Sequence, residues 1–304
     1  MSESDPAGDF DPYTASPQQL VDEFVGLLDV EPIDTDLYRG AQLHGGRGRI
    51  FGGQVIAQAL AAAEKSVGDD RTPHSLHAYF TRAGDENFPV IYRVTRDRDG
   101  RSFSTRRVIA QQKGRPILSM AVNFQVPEEG LHHQFDMPDA PPPEDLISEL
   151  DFWKAHEDRI PEAFRWMMLR PRPIEMRPCE DYRPHDGAKR EPVSKLWIKA
   201  VAPLPDDPAI HRAALAHASD ARLMGTSMLP HGVDWQSGGM QTASLDHALW
   251  LHEDFRIDEW LLYVMDSPWS GHARGMNRGQ IYTRDGRLVA SVAQEGLIRQ
   301  VDRG

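Results

Sequence analysis

Cysteine is nearly missing from this chain: Cys179 is the only one in 304 residues. That excludes an internal disulfide and any metal centre built on paired cysteines. No H-E-x-x-H segment occurs. The one approach to a nucleophile elbow, Gly225-Thr226-Ser227-Met228-Leu229, lacks the closing glycine of G-x-S-x-G. No apolar run nears the ~18 residues that span a bilayer. The first thirteen residues have neither the basic nor the apolar region of a signal peptide, and the terminal VDRG matches no retention signal. A cytoplasmic location is the expectation. Basic runs and nucleic-acid reader motifs are also missing, which argues against a nucleic-acid partner.

Positive charge is absent from one region above all. No Lys or Arg precedes Arg39, whereas ten Asp and Glu do, so most of the net charge of −12 sits in that segment. The remainder is close to neutral and can carry local basic patches. Residues 1–16 are expected to form a disordered acidic tail.

Beyond the tail the chain is patterned. Leu20, Phe24, Leu27 and Leu28 lie at helical spacing, which predicts a helix from Pro17 to Val30. Leu37–Arg39 reads as a short strand, followed by the glycine-rich HGGRGRIFGG. Phe51 stands where a dinucleotide motif needs glycine and no P-loop Lys-Ser/Thr comes after it, so this stretch is read as a flexible lead into an alanine-rich helix, Gln54–Val67. Four antiparallel strands are expected next, at His74–Arg82, Val90–Arg96, Ser104–Gln111 and Ile117–Val126.

Eleven of the 23 prolines fall in residues 127–193, which reads as a connection with a helix near Asp145–His156. After Pro192 the first plan returns: a strand at Leu196–Ala202, a helix from about Asp207 to Met224, then strands at Gln241–Leu251, Trp260–Met265, His272–Tyr282 and Leu288–Ile298. SLHAYF at Ser75 echoes SLDHALW at Ser244, an offset of 169, and the turn at Gly114 echoes that at Gly286, an offset of 172. The register is kept, so residues 17–126 and 194–304 are read as two copies of one helix-plus-sheet unit.

Three polar residues stand in apolar rows of the second copy. Asp285-Gly286 signals a two-residue hairpin turn with positive φ at both positions. On the strand after it, Gln294 shares a face with Leu288, Ala290, Val292, Gly296 and Ile298. Burying an amide without partners costs roughly 1–3 kcal/mol, so Gln294 either meets a backbone carbonyl or has a chemical task. Asp220 falls on the helix stripe of Ala213, Ala216 and Met224, where desolvation would favour its neutral form. Ser244 should point with Asp246 and Ala248. Asp246-His247 makes a poor catalytic pair, because adjacent strand residues face opposite ways. Asp206 and His211 have the spacing of the catalytic pair in enoyl-acyl-CoA hydratases. The plainer reading makes Asp207 a helix N-cap with Pro208 at N1.

The segments FGGQVIAQAL, HSLHAYF, RDGRSFSTRRV, LAHASDARLM, ASLDHALWLH, HARGMNRGQIYTRDGRLVAS and AQEGLIR together resemble the type II (TesB-like) acyl-CoA thioesterase family, over about residues 18–130 and 194–299. The resemblance implies an α+β double hotdog: two antiparallel sheets, each wrapped round a central helix and joined into one long sheet. It implies hydrolysis of fatty acyl-CoA to fatty acid and CoA by an activated water, with no covalent intermediate, metal or cofactor. Carried over by motif, the catalytic residues are Asp220 in HASD, Ser244 before LDH and Gln294 in AQEG. Thr is usual at the second position; Ser keeps the hydroxyl but lacks the methyl that restrains its rotamer. Val122 stands in place of Gln294 in the first copy, which implies that half is silent. A homo-oligomer is implied too, and Arg274 and Arg278 are candidates for a CoA-binding rim. Two alternatives stay open: an enoyl-CoA hydratase using Asp206 and His211, and a non-catalytic acyl-CoA-binding protein.

Overall fold

The computed structural model describes residues 10–42, 48–180, 186–234 and 239–301. The start of the acidic tail and residues 43–47 of the glycine-rich stretch lie outside them.

Helix α1 (Pro17–Leu28) opens with a capping box in which Ser16 and Gln19 take each other's backbone N–H, and the fixed φ of Pro17 suits its first turn. It ends two residues sooner than its apolar spacing suggests. Val30 instead starts β1 (Val30–Asp34), which pairs with β2 (Leu37–Gly40). Next come α2 (Gly52–Glu64), β3 (Thr72–Phe80), β4 (Ile91–Asp99), β5 (Phe103–Gln112) and β6 (Arg115–Gln125). The proline-rich stretch holds more than one helix: α3 (Glu149–Ala155), α4 (Glu162–Met168) and an unexpected strand, β7 (Ile174–Pro178). The second copy runs β8 (Val193–Ala200), α5 (Pro208–Ser219), β9 (Met240–Ser244), β10 (Asp246–Leu251), β11 (Leu261–Gly271), β12 (Arg274–Thr283) and β13 (Leu288–Gln300).

These strands form a single antiparallel sheet in the order β1-β2-β4-β5-β6-β3-β10-β13-β12-β11-β8-β7, with β9 paired to the far end of β13. The order is symmetric about its centre. Strands β2-β4-β5-β6-β3 and β8-β11-β12-β13-β10 are equivalent sets, and they meet where β3 lies against β10, with Leu76 opposite Leu249. Helix α2 packs on β3 to β6 and beside α5, and side chains from both helices and both half-sheets share one core. This is the α+β double-hotdog architecture.

Alanine explains how two helices fit inside one curled sheet. Ala57, Ala59, Ala62 and Ala63 of α2 and Ala213, Ala214, Ala216 and Ala218 of α5 are buried, so the backbones approach closely. Larger neighbours such as Ile56 and Leu60 are fully enclosed, and each contributes about 1.5–3 kcal/mol of burial. The two backbones come very close where the first turn of α2 meets the last turn of α5. A Cβ on Gly53 would stand 2.3 Å from the carbonyl oxygen of His217, so only glycine fits there.

The β12–β13 hairpin differs from its expected form. Gly286 has φ 91° and its N–H meets the Thr283 carbonyl at 3.0 Å, whereas Asp285 keeps a negative φ. The connection is a turn closed by a left-handed glycine, not a two-residue turn with both φ positive. That pattern belongs instead to Lys113-Gly114 between β5 and β6, and to His272-Ala273 between β11 and β12.

Candidate active site

Asp220 is the C-cap of α5, not an interior residue of a longer helix. The α-helix stops at Ser219, Arg222 adopts a left-handed φ of 70°, and a 3₁₀ segment takes over from Leu223 to His231. This early stop turns the Asp220 carboxylate toward the first turn of α2, from the other copy. Its Oδ2 accepts the Gly53 N–H at 2.9 Å. A helix N-terminus carries unpaired N–H groups and partial positive charge, so the anion is held by the end of a helix 167 residues away in sequence. Gly53, the last residue of the glycine-rich stretch, is therefore a neighbour of the trio. Its signal in the sequence was a Gly-Gly pair directly before a helix, where backbone donors face outward.

Gln294 on β13 is 1% exposed, and its face is the buried one, with Ala290, Val292 and Gly296. Its amide nitrogen donates to Asp220 Oδ1 at 2.9 Å and to Ser244 Oγ at 2.7 Å. The task of this buried amide is thus to join the two other candidates. Ser244 Oγ lies 3.5 Å from Asp220 Oδ1, at the outer limit of a hydrogen bond. Its own proton is poorly used within the trio.

Ser244 reaches this place through an irregularity the alternation could not foresee. The expected strand Gln241–Leu251 is split at Leu245. Ser244 stands opposite Gly296 and Ala248 opposite Ala293, so β9 and β10 use one more residue than β13 over the same span. The extra residue reverses the facing. Ser244 shares its side with His247, while Asp246 turns away and accepts the Glu295 N–H at 2.7 Å.

A cavity of about 460 Å³ opens on the trio. Asp220 and Ser244 form part of its wall, with Phe51, Gly52, Met168, Met224, Met228 and Leu229 as apolar lining. Gln294 is not in the wall; it stands behind the other two. Among the described residues no group of three or more His, Cys, Asp or Glu could hold a metal, and no helix is long and apolar enough to cross a membrane.

Other candidates separate from the trio. Asp206 is paired with Arg256 at 2.6 Å on the surface. Both ring nitrogens of His211 meet backbone groups, the Pro205 carbonyl and the Ile257 N–H. Asp207 is the N-cap of α5, with Pro208 after it. The hydratase-like pair is therefore not assembled, and it lies at the opposite end of α5 from Asp220. Arg274 and Arg278 pair with Glu295 and Asp266 and lie outside the cavity wall. Among the described residues, the cations in that wall are Arg190 and Arg222, bonded to Asp186 and Glu149.

The first copy has filled the equivalent ground. In its β5–β6 ladder Arg106 stands opposite Val122, as Asn277 stands opposite Gln294 in β12–β13. Arg106 is 1% exposed. Its guanidinium donates to Ser66 Oγ and carbonyl, the Arg98 and Thr105 carbonyls and Asp99 Oδ1, at 2.7–3.1 Å.

His217, one turn before Asp220, packs edge-on between Phe24 and Phe51 with centroids 4.8 and 4.9 Å away. Burial, helped by the charge of Arg172, lowers its pKa to about 4. The unfolded chain takes up this proton near the ordinary 6.5, so the stabilisation from a neutral His217 is full above pH 6.5 and is lost as pH falls toward 4. Between pH 7 and pH 5 the loss is about 2 kcal/mol. His217→Phe should remove it, so the change in unfolding free energy from pH 7 to pH 5, measured by urea melts, should be about 2 kcal/mol more favourable in the variant than in wild type. An unchanged difference would mean His217 is not the group titrating. Glu64, raised by burial to about 7 beside Arg212, works in the opposite direction over that window and is common to both proteins.

Comparison with known proteins adds an independent line. Residues 168–297 match the family described as acyl-CoA thioesterase, and residues 42–125 the one described as acyl-CoA thioesterase N-terminal domain. The chain is similar to acyl-coenzyme A thioesterase 8 of Homo sapiens, 40% identical over 281 residues, covering 90% of this chain and 88% of that protein. It is also similar to acyl-CoA thioesterase 2 of Haemophilus influenzae, 37% identical over 280 residues, covering 92% and 98%. Among solved structures, acyl-CoA thioesterase II TesB2 from Mycobacterium marinum has a TM-score of 0.75 at 39% identity, covering 90% of this chain and 97% of that one. A hot dog fold protein of unknown function from Alicyclobacillus acidocaldarius has a TM-score of 0.74 at 19% identity, covering 92% and 99%, a likeness of fold.

Proposed function

The chain belongs to the acyl-CoA thioesterase family and hydrolyses acyl-CoA; from that premise we propose that Asp220, Ser244 and Gln294 act together on a water molecule that attacks the thioester of a fatty acyl-CoA. Asp220 takes a proton from the water as its oxygen bonds to the carbonyl carbon. The carbon–sulfur bond then breaks, and the proton passes from Asp220 to the departing CoA sulfur. A thioester carbonyl is electrophilic enough for direct attack by such a water, so no covalent intermediate is invoked. General-base assistance of this kind contributes typically 10²–10⁴-fold.

The observation that carries this reading is the Gln294 amide, which bonds both Asp220 and Ser244 behind the wall of the cavity. Both amide hydrogens are used within the trio. Water is therefore held by Asp220 and by the Ser244 hydroxyl, while Gln294 fixes those two against each other. The methionine- and leucine-lined part of the cavity suits a fatty acyl chain. The single cysteine supports a cytoplasmic setting, and a homo-oligomer is part of the same proposal.

The test is free CoA release, monitored with a thiol reagent on acyl-CoAs of graded chain length, beside the loss of enoyl-CoA absorbance. Thiol release without hydration is the expected result. Hydration without thiol release would transfer the chemistry to another enzyme class, and neither signal would leave a binding protein.

A further inference from the structure

We propose that His247 is a positioning residue whose Nδ1–H fixes which end of the Gln294 amide faces Asp220. The proposal rests on the catalytic reading of the trio given above.

His247 lies on β10 with no exposed surface. One ring nitrogen, Nδ1, is 3.3 Å from Gln294 Oε1, and the other, Nε2, is 2.9 Å from Ser219 Oγ. Burial lowers its pKa below the ordinary histidine range, against the pull of Asp220 and Asp246. The ring is therefore neutral near pH 7, with one donor and one acceptor.

The neighbours decide which nitrogen is which. A carbonyl oxygen only accepts, so Gln294 Oε1 requires the proton on Nδ1. Nε2 must then accept, and Ser219 supplies a hydroxyl. Ser219 Oγ also lies 3.0 Å from the Ala216 carbonyl, so its proton has two acceptors within reach. Were it given to Ala216, Nε2 would have to donate, and Nδ1 would face Oε1 lone pair to lone pair. Only the Nδ1–H form satisfies both contacts.

The consequence is a directed chain of donors. Ser219 gives to His247, His247 to Gln294, and Gln294 to Asp220 and Ser244. It begins on the residue next to Asp220 and returns to Asp220. An amide turned end for end would set its NH₂ against Nδ1–H and its oxygen against the carboxylate. His247 thus removes the one ambiguity a glutamine side chain has, although it touches neither water nor substrate.

Two measurements on the full chain test this. In His247→Asn the side-chain NH₂ takes the place of Nδ1–H, whereas His247→Leu keeps bulk and loses the donor. His247→Leu should lower kcat about tenfold with KM nearly unchanged, and His247→Asn should keep most of kcat even if both melt at the same lower temperature. A purely structural role predicts that the two lose activity in step with their stability. Independently of any variant, ¹⁵N NMR of the wild-type imidazole should show a protonated Nδ1 and a bare Nε2. An Nε2–H signature, or His247→Leu with wild-type kcat, would overturn the proposal. The catalytic reading fails separately, if Asp220→Asn keeps its turnover.

Discussion

Asp220→Asn should lower kcat by about 10²-fold or more while KM stays nearly constant. Asparagine has the shape of aspartate and retains an oxygen that can accept from Gly53 or Gln294. What it lacks is basicity, so the loss belongs to the transition state and not to substrate binding. Ser244→Ala and Gln294→Ala should each cost less. Either one added to Asp220→Asn should change little more, because groups that serve one water are not additive. Thermal melts should show that the Asp220→Asn protein remains folded at assay temperature. Steady-state kinetics decides the matter: turnover near wild type would remove the base from Asp220, and strictly additive double variants would break up the trio.

Arg106→Met should have the opposite character, a large loss of stability with kcat preserved in the molecules that fold. Methionine fills much of the volume but leaves Ser66 Oγ and the Ser66 carbonyl without their donor in a buried place, and the half-buried Arg98 and Thr105 carbonyls without theirs. Each orphaned buried group costs about 1–3 kcal/mol, so a total near 3 kcal/mol or more is expected. Asp99 contributes less, because it is half exposed and can be solvated. Urea unfolding monitored by circular dichroism measures this. A loss below about 1 kcal/mol would show that water reaches those carbonyls when the guanidinium is gone.

The trio and its surroundings also mark what the sequence could disclose. Gln294 was legible because a period of two puts it among Ala290, Val292 and Gly296, and the strand kept that period. The duplication was legible because turn chemistry recurs at Gly114 and Gly286 at nearly constant offset. Strict alternation puts Ser244 with Asp246, but one extra residue at Leu245 reverses the facing, and a bulge leaves no compositional mark there. HASDARLM continues a helical apolar spacing that predicts a mid-helix Asp220, whereas the backbone stops at Ser219. β7 was hidden among prolines. It exists because β8 offers it an edge, which is a tertiary circumstance. The pairing of Arg274 with Glu295 and of Arg278 with Asp266 depends on strand register, which composition does not show. Gly53 carries a local mark, a Gly-Gly pair at a helix start, but its bond to Asp220 depends on two helix ends meeting.

That meeting of helix ends has a kinetic meaning. Asp220 and Gly53 are 167 residues apart, and β3 must find β10 across a similar length of chain. Closing such a loop is entropically slow, and chains dominated by distant contacts fold late and slowly. Each copy can build a helix and several hairpins from near neighbours before this happens. A refolding chain would thus regain most of its circular dichroism while its carboxylate still lacked the Gly53 donor. Turnover returns only when the halves dock, which makes catalysis itself the clock for the final step of assembly.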